Sequence, residues 1–575
     1  MTAMKIIPPH LEPYVAEQHY DRYTPVDHAV WRYVMRQNHH ALQDKANAAF
    51  VNGLAQSGIE TEKIPRVSEM NECLSRIGWG AVIVNGLIPG SVFYELLAGG
   101  ILPIAAEIRK LANIEYTPAP DILHEAAGHA PILFDPEYRA YVQEIGAIGA
   151  KAFSVKEKKE AFEALRRLTI VMEDPQSTPE QRAAAKQAVE EKQRANIGMT
   201  EAEKVSRLFW ATVEYGLIGE MGQPKIYGAG LLSSVGESKH CFTDAVTKLP
   251  YSVEACVASP KIVTEMQSRL FVCKSFEELN EGARSLANTM AYRVGGTASL
   301  ETALRSGTTA TFEFNSGIGI TGIVQAILKD RNGEAVYVST TGESALSVHR
   351  RQLQGHGREA HAKGFGTPIG LLSGDIALEA CGGEALEQLG IVQGSFANLA
   401  FASGVSVSGR ITGILGDDRH VHLISFAECT VAYDGKELFK KEWGAYDMAV
   451  GSRIVSAYPG AADPAAYFGA PPRQTASMAL PASPLTELEE LYRDVARIRE
   501  ANAFTEDCVQ EIGRIHQTLR HSYPHDWLLR LELLELAVSA PELKMMAVPL
   551  QDELNALAQT ASLTNLIRNG LAILS

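Results

Sequence analysis

Cysteine is scarce in this chain: seven thiols are scattered over 575 residues, odd in number and without a CxxC pair. That excludes a disulfide framework, a zinc ribbon and a thiol redox motif, and it leaves reduced, mostly buried thiols. A Lys/Arg block is also missing, and 53 basic against 68 acidic residues give a formal net charge of −15. A surface of that sign repels phosphate, so nucleic acid and anionic membranes are excluded as partners. No apolar run approaches the roughly 18–20 residues of a membrane span, and the opening MTAMKIIPPHLEPYV reaches its prolines before any signal-like apolar core. A cytoplasmic location is the expectation.

What is present is the composition of an ordinary globular protein, 46% hydrophobic and 21% charged, on a chain too long for one core. Residues 1–300 carry apolar side chains at three- and four-residue spacing and predict a mainly α domain. Within it, 151–200 is highly charged and predicts an inserted helical hairpin, with Thr178, Pro179 and Gln181 as a capping signal. A second capping box, Thr200 to Glu203, opens a further helix. Residues 305–460 change to strand patterns with hairpin turns at Asn332-Gly333 and Asp434-Gly435, which predicts a β-rich barrel or sandwich. The fragment ITGI occurs at 320–323 and again at 411–414, a hint of an internal repeat. Residues 461–484 read as a linker, and 485–575 return to an amphipathic helical segment.

The stretch HEAAGH at 124–129 carries the chemistry. Imidazole with carboxylate is a natural ligand set for divalent iron, zinc or manganese. In the zinc-protease motif the histidines stand four apart, whereas here they stand five apart. Five residues of α-helix turn through about 500°, leaving the two side chains about 140° apart unless the turn loosens. Gly128 and Pro131 offer that loosening at a helix end, and Asp121 suits the N-cap. A third ligand is available in WATVEYGLIG at 210–219, where Glu214 is the lone carboxylate of an apolar run and costly to bury unless paired or metal-bound. Two histidines and one carboxylate would leave three positions open on Fe(II).

TPAPDILHEAAGHAPIL at 117–133 resembles the iron-binding signature of the pterin-dependent aromatic amino acid hydroxylases. QHYDRYTPVDHAVWR at 18–32, GWGAVIVNGLIPGSVFYELLAGGILPIAAEIR at 78–109, FWATVEYGL at 209–217 and IYGAGLLSSVGE at 226–237 agree in the same order. The resemblance covers 18 to about 290 and is greatest to bacterial members acting on phenylalanine. It implies the family's mainly α catalytic domain, followed here by the β-rich domain and the C-terminal helical segment. It further implies an Fe(II) enzyme that uses a tetrahydropterin as co-substrate and O2 to hydroxylate L-phenylalanine to L-tyrosine. Another aromatic amino acid or ring position is the alternative, and a non-catalytic amino acid or pterin regulator is a more distant one.

By the same resemblance His124, His129 and Glu214 would ligate iron, with Glu125 a catalytic neighbour of iron and pterin. Arg109 would grip the substrate carboxylate, a task that suits a bidentate guanidinium, and Thr117, Pro118, Trp210 and Ser233 would line the substrate site. Leu87, Gly90 and Phe93 would hold the pterin, Phe93 by stacking. Ala119 stands where the motif usually has Glu, and Phe209 where Tyr is common before the tryptophan. The partners implied are small molecules, with homo-oligomerisation through the C-terminal region a further expectation. In the second half His420 and His422 share one strand face, but two histidines without a third ligand are usually a surface pair.

Overall fold

The computed structural model describes residues 5–84, 87–114, 121–173, 177–193, 198–262, 266–469, 484–501 and 504–574. Thr24 opens the first long helix, Pro25–Leu42, through a complete capping box with Asp27, and the proline at N1 is pre-set for the helical φ. Helix Pro136–Gly149 packs against Gly90–Ala98 and Glu201–Phe209, and the HEAAGH segment lies against Ile101–Ala105 of the short sheet formed by Val15–Ala16, Gly80–Val84 and Ile101–Ala105. The charged stretch forms the helices Lys156–Glu173 and Pro179–Gln193, packed side by side. Thr178 and Gln181 cap each other as the spacing predicts, and Thr200 accepts from the Glu203 N–H.

The β-rich part is present as expected and contains two antiparallel sheets that repeat one topology. In the first, Ala310–Phe314, Ile318–Lys329 and Ala335–Val348 run as a meander, and the third strand also pairs with Arg351–Gln352 at one end and Gly366–Pro368 at the other. In the second, Phe396–Ala400, Ser406–Gly416 and Val421–Tyr433 do the same, with Lys436–Phe439 and Tyr446–Ala449 on the third strand. The two ITGI fragments lie on corresponding middle strands. Both predicted hairpin turns form, and Asp434 and Gly435 are left-handed as a primed turn requires. The sheets meet where Gly366–Pro368 runs beside Tyr446–Ala449, and Thr367 Oγ1 donates to the Ala449 carbonyl at 2.9 Å.

The helix Gly296–Ser306 packs its Leu300 and Ala303 into the core of the first sheet, beside Phe312, Phe314 and Ile320. The expected linker is partly folded. Within it Pro464–Phe468 is a short helix whose Tyr467 is buried, and residues 470–483 lie outside the described residues; just before it, Ile454–Pro459 closes the first sheet on Ala310–Phe314. Composition misled here, because Pro464 at N1 and Asp463 as N-cap start a helix as readily as they break one.

The C-terminal helices Glu487–Ala501, Glu506–Ser522, Leu528–Ser539, Ala547–Leu557 and Thr564–Leu574 do not stand apart. Leu528–Ser539 is apolar around most of its circumference and is correspondingly buried on nearly every side, in one core with Pro25–Leu42. Within that core Arg32 meets Glu532 through Nε–Oε1 at 2.6 Å and Nη2–Oε2 at 3.1 Å. Tyr33 donates to the Leu566 carbonyl at 2.7 Å and meets the edge of Trp527. Burial raises the Glu532 carboxyl, but Arg32 and Arg499 outweigh it and hold the group below the ordinary carboxylate range. Glu532→Ala should therefore strand Arg32 in the core and cost about 3–5 kcal/mol in chemical denaturation. Proteolysis should then begin in the C-terminal helices. Unchanged stability would show that this contact does not anchor them.

Candidate metal centre

The five-residue spacing is resolved by a change of helix type. Leu123–His129 is a π-helix, in which hydrogen bonds run from i to i+5, so side chains five apart lie on one face. The expected loosened α-helical end is thus replaced by a widened turn along the whole motif. Asp121 caps it, its Oδ1 accepting from the His124 N–H at 3.0 Å. Glu214 ends a second π-helical turn, Trp210–Glu214, which continues Glu201–Phe209. The short helix Ala229–Leu232 nests between the two turns. Two glycines allow this approach: a Cβ on Gly128 would lie 2.8 Å from the Ala229 carbonyl oxygen, and one on Gly228 would lie 2.5 Å from that of Glu214.

The ligand atoms converge. His124 Nε2 and His129 Nε2 are 3.2 Å apart, and Glu214 reaches them with Oε2 at 3.1 Å and Oε1 at 3.5 Å. One atom from each of the three residues lies within 4.8 Å of the others. Glu214 is 8% exposed. Burial raises its carboxyl, yet the positive charge available on His129 and His124 overrides this and holds it far below the usual range. Glu125 lies beside them, Oε2 to His129 Nε2 at 3.8 Å, and burial pushes its carboxyl up to about 8, so near neutral pH it adds little negative charge. A buried carboxylate facing two imidazoles fits a divalent transition ion.

His124 Nδ1 lies 2.9 Å from Ser233 Oγ, whose hydroxyl donates to the Ala229 carbonyl at 2.8 Å. Because that hydrogen is committed, Oγ accepts from the ring, which places a proton on Nδ1 and turns Nε2 toward Glu214. Spacing does not reveal this contact, since Ser233 follows His124 by more than a hundred residues.

Arg109 is buried beside the same network. Its Nε and Nη2 hold the two Asp121 oxygens at 2.8 and 2.9 Å, and Nη1 reaches the Ser233 carbonyl at 3.4 Å. The guanidinium expected to face a substrate carboxylate is therefore braced by a protein carboxylate first. Burial raises Asp121, and Arg109 outweighs it to keep the group ionised. Asp121 read as a helix cap in the sequence; its hold on Arg109 is a tertiary contact that spacing does not reveal.

Phe93 is half-buried on Gly90–Ala98, edge-on to Phe209 at 5.5 Å between centroids, so the Tyr-to-Phe departure lies against it. Leu87 precedes that helix and Gly90 opens it, where an added Cβ would meet nothing within 4 Å. Trp210 lies one turn before Glu214 and donates to Gln267 Oε1 at 3.2 Å. The cavity of about 170 Å³ that it lines with Tyr215, Pro260 and Ile262 includes none of the three ligand residues. Thr117, Pro118 and Ala119 lie outside the described residues.

Two histidines and one carboxylate on paired π-turns define a mononuclear metal centre of the open, three-ligand class. The family model described as biopterin-dependent aromatic amino acid hydroxylase matches residues 17–165 and 189–295, with its break inside the charged hairpin. A phenylalanine-4-hydroxylase of Ralstonia nicotianae is 30% identical over 273 residues, 47% of this chain and 73% of that protein. One from Vibrio cholerae is 28% identical over 255 residues, 44% and 73% respectively. The crystal structure of Chromobacterium violaceum phenylalanine hydroxylase with bound oxidised Fe(III) aligns at a TM-score of 0.38 and 26% identity, over 48% of this chain and 86% of that one. The chain belongs to the biopterin-dependent aromatic amino acid hydroxylase family.

Removing the Ser233 hydroxyl should free the His124 ring and weaken binding of Fe(II) by about 10–100-fold in an anaerobic titration of Ser233→Ala. Affinity equal to that of the unaltered chain would show that the hydroxyl does not set the ring.

Proposed function

We propose that the chain hydroxylates L-phenylalanine at ring carbon 4, giving L-tyrosine, with O2 and a tetrahydropterin. The observation that carries this is the convergence of His124 Nε2, His129 Nε2 and the Glu214 carboxylate in a chain 30% identical to a phenylalanine-4-hydroxylase. These three residues would hold Fe(II), which together with the reduced pterin supplies the electrons that activate O2.

The chain's own residues bind, orient and exclude water. Ser233 fixes the His124 tautomer, and Asp121 braces Arg109 through Nε and Nη2; the guanidinium N–H groups not taken by Asp121 and the Ser233 carbonyl are assigned to the amino acid carboxylate. Thr117, Pro118, Trp210 and Ser233 are assigned to the substrate side, and Leu87, Gly90 and Phe93 to the pterin side, Phe93 by offering a ring face. Glu125, protonated near neutral pH, stands as a proton donor or acceptor beside the centre. No side chain needs to act as a nucleophile.

The catalytic unit is residues 1–300, carrying the 151–200 hairpin as an insertion, with 305–460 as a β-rich domain and 485–575 as a C-terminal helical segment. Cytoplasmic work suits the seven free thiols; among the described residues no helix is long and apolar enough to cross a membrane.

Oxygen uptake should be measured with phenylalanine, tyrosine and tryptophan in turn, with the product position identified. Phenylalanine should give pterin- and iron-dependent uptake and 4-hydroxylation, and Glu214→Ala should lose at least about 100-fold. Uptake with tryptophan alone, or full activity of Glu214→Ala, contradicts the proposal.

A further inference from the structure

A second group of ligating side chains lies in the β-rich half, outside the family match. His356 Nδ1 and His361 Nε2 stand 3.2 Å apart, and Asp447 Oδ2 lies 3.7 Å from the first and 4.0 Å from the second. The same separation, 3.2 Å, holds between His124 and His129. Two nitrogens bound at about 2.0–2.1 Å to one ion, at octahedral or tetrahedral angles, lie about 2.8–3.4 Å apart. The histidines already have that spacing, and the carboxylate needs to close by up to about 1 Å to match it.

The surroundings prepare the three groups. The histidines flank a turn, HGREAH, and strand Ala335–Val348 pins both: its Leu346 N–H donates to the His356 carbonyl at 2.9 Å, and its Ser344 N–H to that of His361 at 3.0 Å. Ser425 Oγ donates to Asp447 Oδ1 at 2.5 Å, which leaves Oδ2 facing the rings. Such a partner on the distant carboxylate oxygen is a common support of ligating acids. The imidazole planes are within 14° of parallel with centroids 5.5 Å apart, and His361 is braced edge-on by Phe365. His361 is buried, and burial lowers its pKa, which favours the neutral form that binds metal. His356 and Asp447 keep about a fifth of their side-chain surface exposed, which gives an ion a path in.

The location adds a reason for the cluster. The histidines belong to the first sheet's loop, and Asp447 lies on Tyr446–Ala449 of the second, close to the seam between the repeated sheets. From these positions we infer that His356, His361 and Asp447 form a second site for a divalent transition ion of the iron, cobalt or zinc class. The ion joins the two sheets. His420 and His422, the pair visible in the sequence, do not join it; His422 instead pairs with Asp417 at 3.1 Å.

The full chain, stripped of metal, should be dialysed against zinc(II) in air and, separately, iron(II) under argon, and bound metal counted by elemental analysis. For at least one of the two ions the unaltered chain should hold two per chain, Asp447→Asn one, His129→Ala one, and the double variant none. Asp447→Asn should also lose the rise in melting temperature that the second equivalent confers, while retaining native circular dichroism. His356→Gln should repeat both results, which guards against a folding defect peculiar to one substitution. A single equivalent in the unaltered chain with both ions, or two equivalents retained in both Asp447→Asn and His356→Gln, overturns the site.

Discussion

The catalytic half is organised around a carboxylate that cannot remain buried alone. Glu214 is enclosed at the end of a π-turn, where an ionised group without a partner would be strongly unfavourable. Two imidazoles supply its partner, and they can do so only because Leu123–His129 widens to the π form. That widening places further demands on the fold. Asp121 must cap the turn, Arg109 must neutralise Asp121, and Gly128 and Gly228 must let Ala229–Leu232 close over both ligand segments. Ser233 then points the first imidazole inward. A metal centre and its supports follow from one electrostatic requirement.

The additions to the catalytic unit are coupled to it through burial. The C-terminal helices share a core with Pro25–Leu42 and bring Glu532 to Arg32. Much of the apolar surface of these helices is thus covered within the chain, while Val538, Met545 and Val548 stay exposed. The β-rich part is coupled more locally, Phe153 sitting in the core of its first sheet with Leu300 and Ala303. Its two sheets repeat a topology that the ITGI fragments mark only faintly, because a strand's pairing partners are set by position and the inward-facing residues can vary.

Local chemistry was legible in the sequence. The caps at Thr178 and Thr200 and the turns at Asn332-Gly333 and Asp434-Gly435 are decided by residues within a few positions of one another, and each formed as read. So did the convergence of His124 and His129 with Glu214, since burying a lone carboxylate is improbable without a purpose. What the sequence concealed is tertiary. Nothing in it distinguishes a frayed α-helical end from a π-turn, or shows that Asp121 and Ser233 meet Arg109 and His124. HGREAH in the second half escaped notice because its third member, Asp447, arrives from a strand some ninety residues on.

The most direct test of the account follows one oxygen atom. The full chain loaded with Fe(II) and given a tetrahydropterin, L-phenylalanine and 18O2 should yield tyrosine carrying one heavy oxygen at ring carbon 4. His129→Ala under the same conditions should yield none. Tyrosine without the label, or labelled tyrosine formed equally by His129→Ala, would contradict the claim that this buried triad holds the iron for hydroxylation.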